Sequence, residues 1–391
     1  MLLTIVYSTA QPAKGANKFL GNITTMGKIR ADFNEYWNHI TAENESQWPS
    51  IEMQRNTMVW TGFDQIATYA REKKIPWRFH SLLTSGSYPG WMTSLSDTTL
   101  LNEIGQWMDL AAARYPDVTM IDVINEGSQN YLPGIFKRAL GGNGDSGFDW
   151  AIKAFKMARE RWPKALLIYN DFNNIEVESQ ITWTIDLINA LKQAHAPIDI
   201  IGCEANFTQN LSTSKLKENI DRIAQTGLPV YISNYEVGKS SDVLQDSIIR
   251  EQFTMFWNHP KIIGITYWGY IVGQTWRDGT GLLTKEGVER SALTWLKDFV
   301  KNNPNPPNDF PNLLNLTTGV NCPDNAEYMH IRITGRDGYG VFDLLGRSAV
   351  RYIDNSGMNC TQGTQMSNGL YMLHPVEKIK NAANVRVIKL K

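Results

Sequence analysis

Cysteine is scarce in this chain: Cys203, Cys322 and Cys360 are the three among 391 residues, with no CxxC pair and no His–Cys cluster. That excludes a disulfide-built scaffold and a thiolate metal centre. An excess of one charge is lacking too, since 38 basic residues nearly balance 39 acidic ones and leave a net charge of -1. Nothing therefore points to a polyanionic partner such as nucleic acid. No apolar run is long enough to span a membrane. A dinucleotide fingerprint is missing, because no strand leads directly into the Gly-rich stretch GGNGDSG, residues 141 to 147, which reads as a surface turn. Ser-His-Asp spacing is absent as well, and neither a cofactor nor a metal is expected.

What remains is apolar and aromatic. At 42% hydrophobic the chain can bury a large core, and 391 residues exceed one ordinary domain unless that domain is a barrel. Its 13 Trp and 15 Tyr supply flat amphipathic rings that suit stacking on sugar faces, although filling a core is their commoner use. Short apolar runs alternate with longer amphipathic segments. The runs begin with KFLGNIT at Lys18, HITAEN at His39, WRFHSLL at Trp77 and VTMIDVINE at Val118. They continue with ALLIYNDFN at Ala165, IDIIGCEAN at Ile198, PVYISNYE at Pro229 and IIGITYWGY at Ile262. Helical stretches such as FDQIATYAREKK and DWAIKAFKMARERW lie between them. This alternation predicts a parallel sheet closed into a (β/α)8 TIM barrel, with a doubly wound open sheet as the alternative.

Several runs start apolar and finish polar: Glu43 and Asn44, His80, Asn125 and Glu126, Asn170 and Asp171, Glu204 and Asn206, Asn234 and Glu236. In a barrel those ends meet at one rim, where the active sites of this fold are built, whereas an open sheet would scatter them along a line. Two carboxylates at such a rim suffice for glycoside hydrolysis, one protonating the leaving oxygen and one acting as nucleophile or as base for water. Glu126, closing the buried run VINEG, is the acid candidate; the plainer alternative is a structural Glu held by a buried hydrogen bond. His80 reads as a sugar-contacting or core histidine rather than as a base.

From about Lys18 to Val300 the chain resembles glycoside hydrolase family 10, the retaining endo-β-1,4-xylanases. The resemblance rests on NHITAENESQW, RFHSLL followed by YPGW, DVINEG, LLIYNDFNNIE, IDIIGCEAN, PVYISNYE and GITYWGYIVGQTWRDGTGLL, in the family's order. It implies a barrel with Glu126 as acid/base and with Glu43, Asn44, His80, Asn125, Trp268 and Trp276 lining the sugar subsites. Trp91 is the aromatic most readily explained as loop packing.

The departures from the family pattern fall on the same rim. Asn234 stands where patterns such as ITELD or ISEYD carry the nucleophilic Glu, and Glu236 stands at the supporting Asp. Glu204 and Asn206 replace the usual Gln and His, Gln47 replaces a Lys, and Thr84 replaces a Trp. An amide cannot form the glycosyl ester of a retaining mechanism, so Asn234 should close that route. Gln47 and Thr84 should weaken contacts on the non-reducing side. Three readings stay open: hydrolysis with Glu204 or Glu236 serving a water opposite Glu126, a xylan-binding barrel without turnover, or a site altered for another reaction with Glu204 or Glu236 as base.

Residues 1–17 read as a leader or signal-peptide remnant, 18–300 as the barrel, 301–312 as an extended, exposed Pro/Asn-rich linker, and 313–391 as a small β-sandwich. VFDLLGR, NGLYML and the last strand resemble a type IX secretion sorting domain, with a carbohydrate-binding module as the alternative. The resemblance implies a secreted or cell-surface protein and contact with that secretion machinery. In an exported chain Cys322 and Cys360 could pair, while Cys203 packs in a strand. The expected partner is a xylan-like polysaccharide, met by a monomer.

Overall fold

The computed structural model describes residues 11–128, 133–239 and 241–310, and beyond them four short strands. The described residues up to Phe310 build the expected ring. Its strands are β1 (Phe19–Ile23), β2 (His39–Thr41), β3 (Trp77–Phe79), β4 (Leu83–Thr84), β5 (Met120–Asn125), β6 (Leu166–Phe172), β7 (Ile200–Ala205), β8 (Val230–Tyr235) and β9 (Ile262–Tyr267). Each pairs in parallel with its neighbours, β9 returns to β1, and β3 reaches β5, which closes the barrel. Nine pieces fill eight positions because the run from Trp77 to Leu83 is interrupted at residues 80–82, where the His80–Ser81 peptide bond is cis.

The outer helices follow from local sequence. In Asp97–Arg114, Leu100, Ile104, Trp107, Met108 and Ala111 recur at helical spacing and are buried, and the Ser96 hydroxyl accepts the Thr99 N–H at 3.2 Å as an N-cap. Ser212 and Ser241 cap Thr213–Ala224 and Asp242–Asn258 in the same way. The two stretches read as helical from sequence fall in Thr61–Lys73 and Asp149–Arg161.

Inside the ring, polarity is layered. At the end where the strands begin, Phe19, Met120, Ile168, Ile200, Tyr231 and Ile263 form an apolar floor. Gly264 makes room for it, since a Cβ there would lie 2.2 Å from the Phe19 ring. Above the floor, Arg78 and Asp122 form a fully buried ion pair, with Nε–Oδ2 2.8 Å and Nη2–Oδ2 2.6 Å. His80 Nδ1 lies 2.5 Å from the same Asp122 oxygen. Burial pushes Asp122 up, but Arg78 and then His80 outweigh it and hold its carboxyl below the ordinary range. Burial and the nearby Arg78 push the His80 ring down, so it stays neutral near pH 7 with Nδ1–H turned to Asp122.

Two boundary segments differ from expectation. Within the leader read over 1–17, residues 11–17 pack on the barrel: Ala13 is buried, its carbonyl accepts Asn38 Nδ2 at 3.0 Å, and Gln11 Nε2 donates to Asn34 Oδ1 at 3.1 Å. The linker is not extended and exposed throughout. Lys301 and Asn302 end the helix Ser291–Asn302, Pro306 is buried, and Asn17 Nδ2 donates to its carbonyl at 2.8 Å. Asp309 pairs with Lys261 at 2.8 Å, and Phe310 packs on the floor. Proline-rich composition signals a lack of helix, but it does not signal a lack of contacts.

Residues 319–391 form a separate unit. Its described part is one antiparallel sheet of β10 (Tyr339–Asp343), β11 (Ser348–Val350), β12 (Leu370–Pro375) and β13 (Arg386–Lys389), ordered β11-β10-β12-β13. Cys322, Cys360 and the second layer that a sandwich needs lie outside the described residues, as does any sorting function read from this tail.

Candidate active site

The barrel gathers the polar strand ends at one mouth, as the run endings predict. Glu126 follows β5 directly. Its N–H donates to the Asn170 carbonyl at 2.8 Å, and its backbone is left-handed with φ 53°. Ser85, just past β4, donates its hydroxyl to Glu126 Oε2 at 2.7 Å. Glu126 is thus half-buried and oriented by a short side chain.

A chain of amides leads away from it. Asn125 Nδ2 donates to Thr84 Oγ1 at 3.0 Å, and its Oδ1 accepts from Asn170 Nδ2 at 2.7 Å. The same Nδ2 donates its second hydrogen to Glu204 Oε1 at 2.8 Å, and Asn206 Nδ2 donates to Glu204 Oε2 at 3.0 Å. Ser233 completes Asn170 by donating to its Oδ1 at 2.5 Å. Both hydrogens of the Asn170 amide are therefore used, and the donor direction along the chain is fixed. Gly202 makes this possible, because a Cβ there would stand 2.2 Å from Asn170 Oδ1.

Glu204 and Asn234 are register partners on β7 and β8. Both are nearly sealed, at 3% and 4% exposure. Asn234 Oδ1 and Asn206 Oδ1 are buried without a donor, which leaves two acceptors beside Glu204. Burial pushes the Glu204 carboxyl well above the usual range, Glu126 and then Asp171 add to the push, and Arg78 and Asn206 oppose it. Asp171, behind Glu126, is pushed up to about 7 by burial although Tyr169 O–H and the Phe172 N–H donate to it.

Glu236 is placed differently. It is fully buried, its Oε2 accepts Trp276 Nε1 at 2.9 Å, and its Oε1 lies 3.1 Å from Arg277 Nε. That last contact has ion-pair distance but poor alignment, so neither atom makes a hydrogen bond there. Burial pushes Glu236 up to about 7 against Arg277 and Trp276. The Arg277 guanidinium lies between the Phe207 and Trp276 rings, 5.0 and 5.8 Å from their centroids. Glu236 is occupied in holding the Trp276 ring, which is 55% exposed.

The remaining sequence candidates divide by exposure. Glu43 follows β2 half-buried, and burial with Glu45 beside it pushes it up to about 7. Asn44 is exposed and accepts Gln47 Nε2 at 3.2 Å. Trp268 is 7% exposed and meets His80 edge-on at 5.3 Å, so it offers an edge rather than a free face. Trp91 packs edge-on against Trp48 and donates Nε1 to the Glu52 carbonyl at 3.2 Å, a loop-packing ring. Cys203 is buried and free. Among the described residues no cluster of His, Cys, Asp and Glu could hold a metal, and no helix is long and apolar enough to cross a membrane.

Sequence reasoning assigned no role to Ser85, Asn170, Ser233 or Arg277. A usable signal for Asn170 was Gly202, a side-chain-free position on the same face of β7 as Glu204 and paired with Asn170 in register.

Comparison with known proteins gives this mouth a lineage. Endo-1,4-beta-xylanase B of Cellvibrio japonicus is 42% identical over 284 residues, covering 72% of this chain and 45% of that protein. The chain thus spans under half the length of that relative. Endo-1,4-beta-xylanase B of Thermotoga neapolitana is 26% identical over 257 residues, 62% of this chain and 72% of that one. Among solved structures, native xylanase 10B from Thermotoga maritima superposes with a TM-score of 0.67 at 22% identity, covering 76% of this chain and 98% of its own. At that identity the likeness shows the fold. The family profile of glycosyl hydrolase family 10 matches residues 8–302, from before β1 to the last barrel helix. With a closed parallel barrel, acidic strand ends at one mouth and a profile match over most of its length, the chain belongs to glycosyl hydrolase family 10.

Proposed function

We propose that the barrel hydrolyses β-1,4-linked xylan-type chains at its C-terminal mouth, with Glu126 as general acid and Glu204 as the second carboxylate. The observation that carries this is the seat of Glu204. It lies in register with Asn234, both of its oxygens accept amide donors, and Glu126 is the charge that most affects it after burial. Asn125 and Asn170 link the two strand ends that carry Glu126 and Glu204. Glu236, by contrast, is held by Trp276 and Arg277 and serves to set a sugar-stacking ring.

Glu126 protonates the leaving oxygen while Ser85 fixes its orientation, and Glu204 acts from the other side of the sugar. Asn206 Oδ1 and Asn234 Oδ1 supply acceptors for sugar hydroxyls. Glu43, Asn44, Gln47, His80, Thr84 and Asn125 complete the wall, and Trp268 and Trp276 cover it. Secretion and attachment through the tail belong to the same proposal, checked by whether deleting residues 319–391 changes export.

The test is hydrolysis of an aryl β-xylobioside by the wild type, Glu126→Gln and Glu204→Gln. Strong loss in both variants, with xylan binding retained, supports the reading. Xylan binding with no hydrolysis by any of the three would leave a binding barrel instead.

A further inference from the structure

We propose that Glu204 is a nucleophile, so that this barrel hydrolyses with retention although Asn234 closes the β8 position. This rests on the reading of Glu204 as the second carboxylate and deepens it by assigning the step. The registered pair Glu204–Asn234 still carries one carboxyl and one amide, with the carboxyl on β7. Counting around the ring, β7 lies two positions from β5, which carries Glu126, and β8 lies three. A chord across two positions of an eight-position ring is shorter than one across three. Inversion needs carboxyls about 6.5–9.5 Å apart to admit a water, and retention needs about 5–5.5 Å. Moving the carboxyl toward Glu126 is the wrong direction for a water-activating base and the right one for a nucleophile.

The surroundings fit. Asn170 and Asn206 each donate to one oxygen of Glu204, which is how an ionised, acceptor-only carboxylate is held in one orientation. The donorless Asn234 Oδ1 and Asn206 Oδ1 flank it, and a sugar brings hydroxyl donors. In the first step a Glu204 oxygen bonds to C1 as the C1–O bond to the leaving group breaks, and the departing oxygen takes the Glu126 proton. In the second, water bonds to C1 and gives its proton to Glu126, and the C1–Glu204 bond breaks. Water is the one co-reactant, and both carboxyls return to their starting states. Because attack needs the ionised form, and burial and then Glu126 push the Glu204 carboxyl upward, activity should rise with pH above the range of an ordinary carboxyl.

The experiment treats the full chain with 2,4-dinitrophenyl 2-deoxy-2-fluoro-β-xylobioside, maps any adduct by peptide mass spectrometry, and follows the first-formed anomer of xylobiose by proton NMR with the unfluorinated substrate. A one-to-one adduct on the peptide holding Glu204, with the β-anomer appearing first, is the expected result. Azide should then restore turnover to Glu204→Gln and give the α-azide. The α-anomer first with no adduct, or an adduct on Glu236, overturns the proposal. In the α-anomer case Glu204 survives as a base and the hydrolytic reading stands. Failure of the wild type to hydrolyse the unfluorinated substrate overturns both.

Discussion

Glu204 and Glu236 sit at the ends of adjacent strands, at 3% and 0% exposure, yet their surroundings make them different groups. Glu204 is met by two neutral amides and by the charge of Glu126, and faces its register partner Asn234. Glu236 is met by a guanidinium and an indole N–H and supports a rim loop. Burial raises both carboxyls, and their partners decide what each can do. A carboxyl held by amides keeps a lone pair for a sugar, whereas one engaged by Trp276 and Arg277 holds part of the rim in place.

The sharpest way to break this contrast is to exchange its terms. Glu204→Gln should lower kcat/KM by about 10³-fold or more and Glu126→Gln by about 10²–10⁴-fold, read with an aryl xylobioside. Combining Glu204→Gln with Asn234→Glu moves the carboxyl back to β8 and should recover part of that loss. Asn234→Glu alone sets two carboxyls on register partners and should lower both activity and melting temperature. If the double variant is no better than Glu204→Gln, the exchange argument fails.

A smaller effect tests the amide chain. Gly202→Ala places a methyl against Asn170 Oδ1 and should destabilise by about 1–3 kcal/mol in urea titration while lowering kcat. The loss of kcat marks Asn170 as a positioning residue, since packing damage alone would leave it unchanged.

The smallest effect concerns Glu236. Its carboxyl, ordinarily at 4.5, rises to about 7 in the fold, so the native state holds a proton that the unfolded chain has released between those values. Stability from this group is fully present below about 4.5 and is lost as pH rises through about 7. Glu236→Gln should therefore flatten the fall in melting temperature between pH 5 and roughly 8, with a small change in kcat. A large kcat loss in that variant would instead place Glu236 at the reacting carbon.

Much of the architecture was legible because a parallel barrel writes itself as buried runs with polar endings. The ring closed as expected, and the polar ends from Glu43 to Glu236 came together at one mouth. Alternation told which face a residue takes, but not which neighbour its side chain reaches. Glu204 and Glu236 therefore looked equivalent from sequence: their partners Asn170 and Arg277 come from other strands and loops, and register is not written in a single strand. The contacts of Pro304 to Phe310 are hidden for a related reason, since Pro304, Pro306 and Asn308 bond to Asn17, 287 or more positions earlier, and Asp309 N–H donates to the Pro260 carbonyl.

The left-handed backbone at Glu126 has a consequence for any attempt to improve this protein. A non-glycine residue at φ 53° costs about 1 kcal/mol or more, so glycine is the residue this position prefers on conformational grounds. Glu126→Gly should melt no lower than the wild type in calorimetry, while losing the proposed acid. Selection for heat resistance alone would then drift toward erasing the proposed proton donor, and a stabilising screen on this barrel needs an activity filter from its first round.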